Sequence, residues 1–400
     1  MSSEARSSLI PVTLLTGFLG SGKTTLLNQL VRQPEFANTL IIINEFGAMA
    51  LDHLLVTHSN ENIVMELGSG CVCCTIRGDL VQTLRDITWR FSREGNRQFD
   101  RVLIETTGLA DPAPIIHTLM THAQIAPKYR LDGVVATVDL ASGMATLDHH
   151  QEAIKQAAMA DVLLLTKGDL VSPEHRAELL QRLSDINPAA PRWEIKNGHL
   201  EASKILGLGL FTHEGKSPDV EGWLNEHAYK ATSTPKFQIT PHPEKSTSQG
   251  LFSAGLRAPQ QDVNRHGDRI RAFCFTIDSP ISELALECWL EVLMTLLGSN
   301  ILRVKGILNI EGRDTPIALH GVQHIFHPSA PLPAWPTDDR RSRLVVTTQD
   351  DRREMIQATF RAFKNKAGHI EGTSACRRAS HLSTRSHERK GHGAPSGPRG

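Results

Sequence analysis

The apolar run Val12–Thr16, VTLLT, passes without a break into Gly17-Phe-Leu-Gly-Ser-Gly-Lys-Thr-Thr25 and then into TTLLNQLVRQ, which has a helical pattern. A strand, a Gly-x-x-x-x-Gly-Lys-Thr loop and a helix in that order form a phosphate-binding unit. Gly17, Gly20 and Gly22 let successive backbone N–H groups wrap an anion, and the helix N-terminus adds its positive end. Lys23 is placed to reach the β- and γ-phosphates, and Thr24 to bind Mg²⁺ through its hydroxyl. Ser21 and Thr25 complete the loop. A nucleoside triphosphate site is expected at this point of the chain.

Further near-continuous apolar runs follow at 39–44 (TLIIIN), 101–106 (RVLIET), 133–139 (GVVATVD) and 161–167 (DVLLLTK). Strands buried on both faces read this way, whereas half-exposed strands alternate. Helical patterns lie between them, IRGDLVQTLRDITWRF among them, so right-handed crossovers should place helices on both faces of the sheet. The predicted fold class is α/β: a P-loop NTPase with a mostly parallel sheet flanked by helices, plus a smaller C-terminal α+β domain. The second domain rests on strand IRAFCFTI, helix SELALECWLEVLMTLL, strands ILRVKGILNI, IALHGVQHIF and RLVVTT, and a last helix with Ile356, Phe360 and Phe363 on one face. The expected boundaries are 8–212 for the nucleotide domain, 213–267 for a Pro/Ser/Thr/Gln-rich linker or insertion, 268–366 for the second domain and 367–400 for a basic, disordered tail.

The end of the fifth strand carries Thr166-Lys167-Gly168-Asp169. GTP-binding proteins of this class usually read guanine with Asn-Lys-x-Asp, whose aspartate takes the two guanine N–H donors that adenine does not offer. Lys167 and Asp169 are in place and threonine stands for asparagine, so guanine is favoured. The third strand ends in Glu105-Thr-Thr-Gly108-Leu-Ala-Asp-Pro112. Glu105 suits a water-mediated Mg²⁺ contact or positioning of the attacking water, and the N–H of Gly108 suits sensing of a γ-phosphate by a switch segment. Asn44-Glu45-Phe46-Gly47 brings a further carboxylate to the same sheet edge, where ligands of such sheets bind.

Three of the six cysteines fall within four positions, Cys71, Cys73 and Cys74 in GCVCC. A closed zinc cage usually uses two spaced ligand pairs, and a disulfide framework needs a small secreted chain. Neither applies. Three thiolates around Gly70 select a soft ion such as Zn²⁺ or Cu⁺ and leave a tetrahedral ion one ligand short. Glu45, a water or a ligand from another protein completes the set, so the site suits transfer rather than storage. The cysteines are expected to be reduced, in the cytoplasm.

Taken in order, GFLGSGKTT, NEFG, ELGSGCVCCTIRGDL and ETTGLADP resemble the CobW-like family of metal-trafficking GTPases, from about Ile10 to Lys364. The opening IPVTLL is similar to the hydrophobic-Pro motif that some zinc-handling members carry. The resemblance implies GTP hydrolysis coupled to delivery of a metal, most often Zn²⁺, to a client metalloprotein. It assigns the metal to Cys71, Cys73, Cys74 and Glu45, the phosphates to Gly17–Thr25 and the base to Thr166–Asp169. Members often carry a His-rich tract between domains; here His213, His227, His242 and His266 are scattered. His320, His324 and His327 are further metal candidates. Expected partners are the client and a second copy of the chain.

The whole-chain composition agrees. Formal net charge is zero and no apolar stretch reaches the roughly 18 residues of a membrane helix, so neither nucleic acid nor membrane is an expected partner. Two alternatives stay open: a cobalt- or iron-inserting GTPase of cobalamin synthesis or nitrile hydratase maturation, and a non-enzymatic zinc sensor or buffer.

Overall fold

The computed structural model describes residues 9–43, 63–66, 75–93, 96–195, 199–209, 224–225, 270–298, 300–323, 325–326 and 330–366. Most of the expected linker at 213–267 and the whole tail at 367–400 lie outside the described residues.

The first half alternates strands and helices: β1 (Ile10–Gly17), α1 (Lys23–Leu30), β2 (Thr39–Ile43), β3 (Ile63–Glu66), α2 (Thr75–Arg90), the short pair β4 (Ser92–Arg93) and β5 (Asn96–Arg97), β6 (Arg101–Glu105), α3 (Ala113–Thr121), β7 (Tyr129–Asp139), α4 (Gly143–His149), α5 (Gln151–Met159), β8 (Val162–Thr166), α6 (Pro173–Ile186) and β9 (Arg192–Glu194). Seven strands form one sheet in the order β3-β2-β6-β1-β7-β8-β9, and every pairing is parallel. The expected parallel α/β sheet is therefore present, with β1 at its centre.

Alternation along each strand explains the continuous apolar runs, because both faces are covered. Val12 and Leu14 join Leu40, Ile42, Val102 and Ile104 beneath α2, α3, α5 and α6. Leu15 joins Ile41, Leu103, Val135 and Leu164 on the opposite face, beneath Leu26, Leu27 and Leu30 of α1. Two strands, β3 and β9, were not expected from sequence. They are the sheet's edges, only four and three residues long, and β9 carries Arg-Trp-Glu.

The second half contains β10 (Ile270–Ile277), α7 (Glu283–Leu297), β11 (Ile301–Leu308), β12 (Ile317–Val322), β13 (Ile325–Phe326), β14 (Ala330–Pro331), β15 (Ser342–Gln349) and α8 (Arg353–Lys366). Its sheet runs β10-β15-β11-β12-β13 with antiparallel pairing, β14 adding to β12. The run IALHGVQHIF is two strands rather than one: Gln323 adopts φ 51°, a left-handed turn that reverses the chain between β12 and β13. One face of this sheet packs on α7 and α8 through Phe273, Val304, Leu344, Trp289, Ile356 and Phe360. The other face meets the nucleotide domain, where Ile270, Leu302 and Val322 join that domain's core.

Polar contacts fix the junction. Asp161, whose side chain is 8% exposed, accepts from Arg303 Nη2 at 2.7 Å and Lys305 Nζ at 2.9 Å on Oδ1, and from the Val134 N–H at 2.9 Å on Oδ2. Arg303 Nη1 donates to the Met159 carbonyl at 2.6 Å. His117 Nε2 on α3 lies 2.8 Å from the Val322 carbonyl. Burial pushes the Asp161 carboxyl up, but Arg303, Lys305 and the Val134 N–H outweigh it and hold it well below the usual carboxylate range. Burial, then the Arg303 charge, pulls Lys305 down to about 8 against the pull of Asp161.

Candidate nucleotide site

The loop after β1 needs its glycines. Gly17, Gly20 and Gly22 have φ of 140°, 72° and 89°. A Cβ on Gly17 would stand 2.1 Å from Thr137 Oγ1 and 2.6 Å from the Thr137 carbonyl, so any side chain there would break the register of β1 against β7. Ser21 Oγ and Thr137 Oγ1, 2.6 Å apart, share a hydrogen bond beneath the loop. Lys23 is buried at the start of α1 and donates to the carbonyls of Gly17 at 2.9 Å and Phe18 at 3.1 Å, which places its ammonium inside the loop. Thr25 is exposed on the first turn of α1.

β1 and β6 are in register with Leu15 opposite Glu105, which sets Glu105 beside the first turn of α1. Thr24 Oγ1 donates to Glu105 Oε1 at 3.0 Å. A hydroxyl and a carboxylate side by side next to a phosphate cradle are the hard oxygen donors that Mg²⁺ takes, so these residues fit the ion. The segment after β6 comes very close to the loop. A Cβ on Gly108 would lie 2.5 Å from the Leu19 nitrogen and 2.7 Å from its Cα, so glycine is the residue that permits the approach.

On the far side, β8 leads into Thr166–Asp169, the residues expected to read the base, and they make different contacts. The Thr166 side chain is buried and its hydroxyl donates to the Ser21 carbonyl at 2.9 Å, so it ties the tetrad to the loop rather than facing outward. Lys167 takes φ 57° and its Nζ lies 2.7 Å from Asp139 Oδ2. Burial raises the Asp139 carboxyl, but Lys167 and the N–H groups of Ala141 and Ser142 bring it below its ordinary value. Asp169 is exposed at the rim.

Sequence reasoning missed one participant. Gln156 on α5 is 1% exposed, and its amide nitrogen donates to the carbonyls of Ala110 at 2.9 Å and Gly108 at 3.3 Å. Beside it, Lys155 pairs with Asp111 at 3.0 Å, while Asp111 Oδ1 accepts the Ala113 N–H at the start of α3. A polar residue within AIKQAAM, on the face carrying Ala153, Ile154 and Ala157, was the available signal.

Residues 11–194 match the CobW/HypB/UreG nucleotide-binding domain, and residues 270–364 match the cobalamin synthesis protein cobW C-terminal domain. The zinc chaperone YjiA of Escherichia coli K12 is 31% identical over 351 residues, covering 88% of this chain and 98% of that protein. The chain belongs to the CobW family. Other CobW-family relatives align over less of their length. A zinc chaperone CobW of Sinorhizobium is 32% identical over 237 residues, 52% of this chain and 65% of that protein. A zinc-regulated GTPase metalloprotein activator 1 of Dictyostelium discoideum is 30% identical over 253 residues, 54% of this chain and 52% of that protein, so the chain matches about half of it. Among solved structures, Zn(II)-bound YjiA GTPase of E. coli superposes with a TM-score of 0.60 at 26% identity, covering 89% of this chain and 99% of the other.

Within this CobW-family chain, the structure brings some of the expected site residues together and does not describe others. Gly17, Gly20, Ser21, Gly22, Lys23, Thr24, Glu105 and Gly108 converge at the end of β1 and β6, with Thr166 bonded to the same loop. Cys71, Cys73, Cys74 and Glu45 lie outside the described residues, as do His324 and His327. His320 is described, on β12 opposite Lys305 of β11. Among the described residues no group of three or more His, Cys, Asp or Glu is arranged to hold a metal. Nor is any described helix long and apolar enough to cross a membrane.

Proposed function

We propose that this CobW-family GTPase is a GTP-dependent metal chaperone whose cargo is Zn²⁺. The observation that carries the GTPase half is the loop after β1 with the Thr24–Glu105 pair at its mouth. Lys23 holds the β- and γ-phosphate oxygens and neutralises charge as the γ-phosphoryl leaves. Thr24 would hold Mg²⁺ through the hydroxyl that now meets Glu105, and the ion would supply charge stabilisation at the phosphates. Gly108 turns its N–H toward the γ-phosphate. Thr166 anchors the β8 end to the loop, and Lys167 and Asp169 read guanine.

The zinc half is supported by the soft donors Cys71, Cys73 and Cys74, joined by Glu45, and by relatives named as zinc chaperones. The nucleotide domain spans 8–212 and hands the ion, in the cytoplasm, to a client metalloprotein that docks across the 268–366 domain. A second copy of the chain is a further partner. Transfer has direction only if zinc affinity differs between GTP and GDP states, because a ligand shifts an equilibrium through differential affinity alone.

The test is GTP turnover by the metal-free protein with and without one equivalent of Zn²⁺, beside a Cys73→Ala/Cys74→Ala variant. The expected result is a zinc-dependent rate in the wild type and none in the variant. Tight zinc binding with no rate response in either protein would leave a buffer or sensor, and a response to Co²⁺ or Fe²⁺ alone would move the cargo away from zinc.

A further inference from the structure

We propose that Gln156 is a positioning residue for GTP hydrolysis, and that α5 mechanically joins the phosphate-facing segment to the C-terminal domain. The inference rests on the GTPase reading above and deepens it. Three contacts are spread along one short helix. At its N-cap the His150 ring stacks on Phe18 of the phosphate loop, with centroids 4.3 Å apart. In its middle, Gln156 holds the carbonyls of Gly108 and Ala110, and Lys155 holds Asp111. At its last residue and just beyond, Met159 and Asp161 are gripped by Arg303 and Lys305 of β11. At nine residues the helix is only about 13 Å long. A helix of two to three turns held at both ends moves as one piece.

The phosphate-facing segment has little freedom apart from α5. Gly108 is pressed against Leu19, and both amide hydrogens of Gln156 are given to carbonyls on either side of Leu109. Any turn of Gly108 toward a γ-phosphate swings those carbonyls. The two bonds then break, or α5 follows and transmits the shift to β11. The amide has a second arrangement available. Gln156 Oε1 is buried and accepts no hydrogen bond from the described residues, so an N–H of the segment turned inward would find an acceptor waiting. A two-state element whose equilibrium both sites bias is the physical requirement for coupling.

A support role would act differently. If Gln156 merely satisfied a turn, its loss would lower thermal stability or raise the KM for GTP and leave kcat intact. The experiment therefore uses full-length protein with GTP and Mg²⁺, first confirming that the wild type hydrolyses GTP; absence of hydrolysis there would be the failure of the GTPase reading itself. Given wild-type turnover, Gln156→Met, which keeps the shape and removes both donors, is expected to lower kcat about tenfold with KM changed less than about threefold. Arg303→Met leaves Lys305 on Asp161 and sits far from the nucleotide; its effect on kcat should shrink in the Gln156→Met background, a non-additive cycle. Amide exchange on the wild type covers the case in which a variant fails to fold. Protection of 301–308 should differ between GDP and a non-hydrolysable GTP analogue. Unchanged protection, a KM-only effect of Gln156→Met, or strictly additive variants would each overturn the proposal.

Discussion

Thr166 shows how much a single hydroxyl can settle. Its hydroxyl donates to the Ser21 carbonyl at 2.9 Å, which joins the end of β8 to the loop after β1. Replacing it with valine keeps the volume and leaves that carbonyl unmet. Thr166→Val should weaken GTP and GDP binding together by about fivefold, equivalent to about 1 kcal/mol, while guanine-over-adenine preference survives; titration with fluorescent nucleotides reads both. The residues legible from sequence here are those whose chemistry is local. Gly17, Lys23 and Thr24 stand in one continuous motif, so spacing alone marks them as candidates. The Ser21–Thr166 and Gly108–Gln156 contacts join residues 145 and 48 positions apart, and no short pattern encodes them.

At the scale of elements, the apolar runs located the central strands because those strands are buried on both faces. β3 and β9 escaped for the complementary reason. An edge strand has one partner and one open side, so it needs no long apolar run: β3 is only IVME, and β9 keeps two charges in RWE. The predicted single strand through IALHGVQHIF failed at Gln323, a residue with no special turn preference that is held at positive φ by its surroundings. In the C-terminal domain the apolar face of α8 was readable from spacing. Ile356 and Phe360 turn inward as expected, and Phe360 meets the fully buried Trp289 edge-on, with ring centroids 5.0 Å apart. Trp289 Nε1 also donates to Thr359 Oγ1 at 3.2 Å. Trp289→Ala should therefore cost about 3–5 kcal/mol in chemical denaturation, with nucleotide affinity retained as long as the protein remains folded.

For the whole molecule, the important feature is that the two domains share buried charge. Arg303 and Lys305 look out of place in the strand ILRVKGIL until Asp161 is found opposite them. Asp161→Asn removes the anion that two buried cations share, and it should destabilise the protein by about 3–5 kcal/mol at neutral pH. The sign of its pH dependence follows from the lowered carboxyl. Asp161 stabilises the fold fully above the ordinary carboxylate pKa of about 4, and that stability is lost as the pH falls further toward the folded-state value. The part of the wild-type-minus-variant difference that comes from the Asp161 carboxylate, measured in urea, should therefore shrink as the pH falls below about 4. A difference that stays constant throughout would mean that Asp161 gains nothing from its partners.

The same arrangement imposes a schedule on the newborn chain. Arg303 follows Asp161 by 142 residues, an interval of about 7–30 s at 5–20 residues per second of synthesis. During that interval the loop after β1, Glu105 and α5 have all been synthesised, while the strand that grips the end of α5 does not yet exist. Through that interval Asp161 has to wait for its two buried cations, so the end of α5 stays ungripped until the second domain has been made.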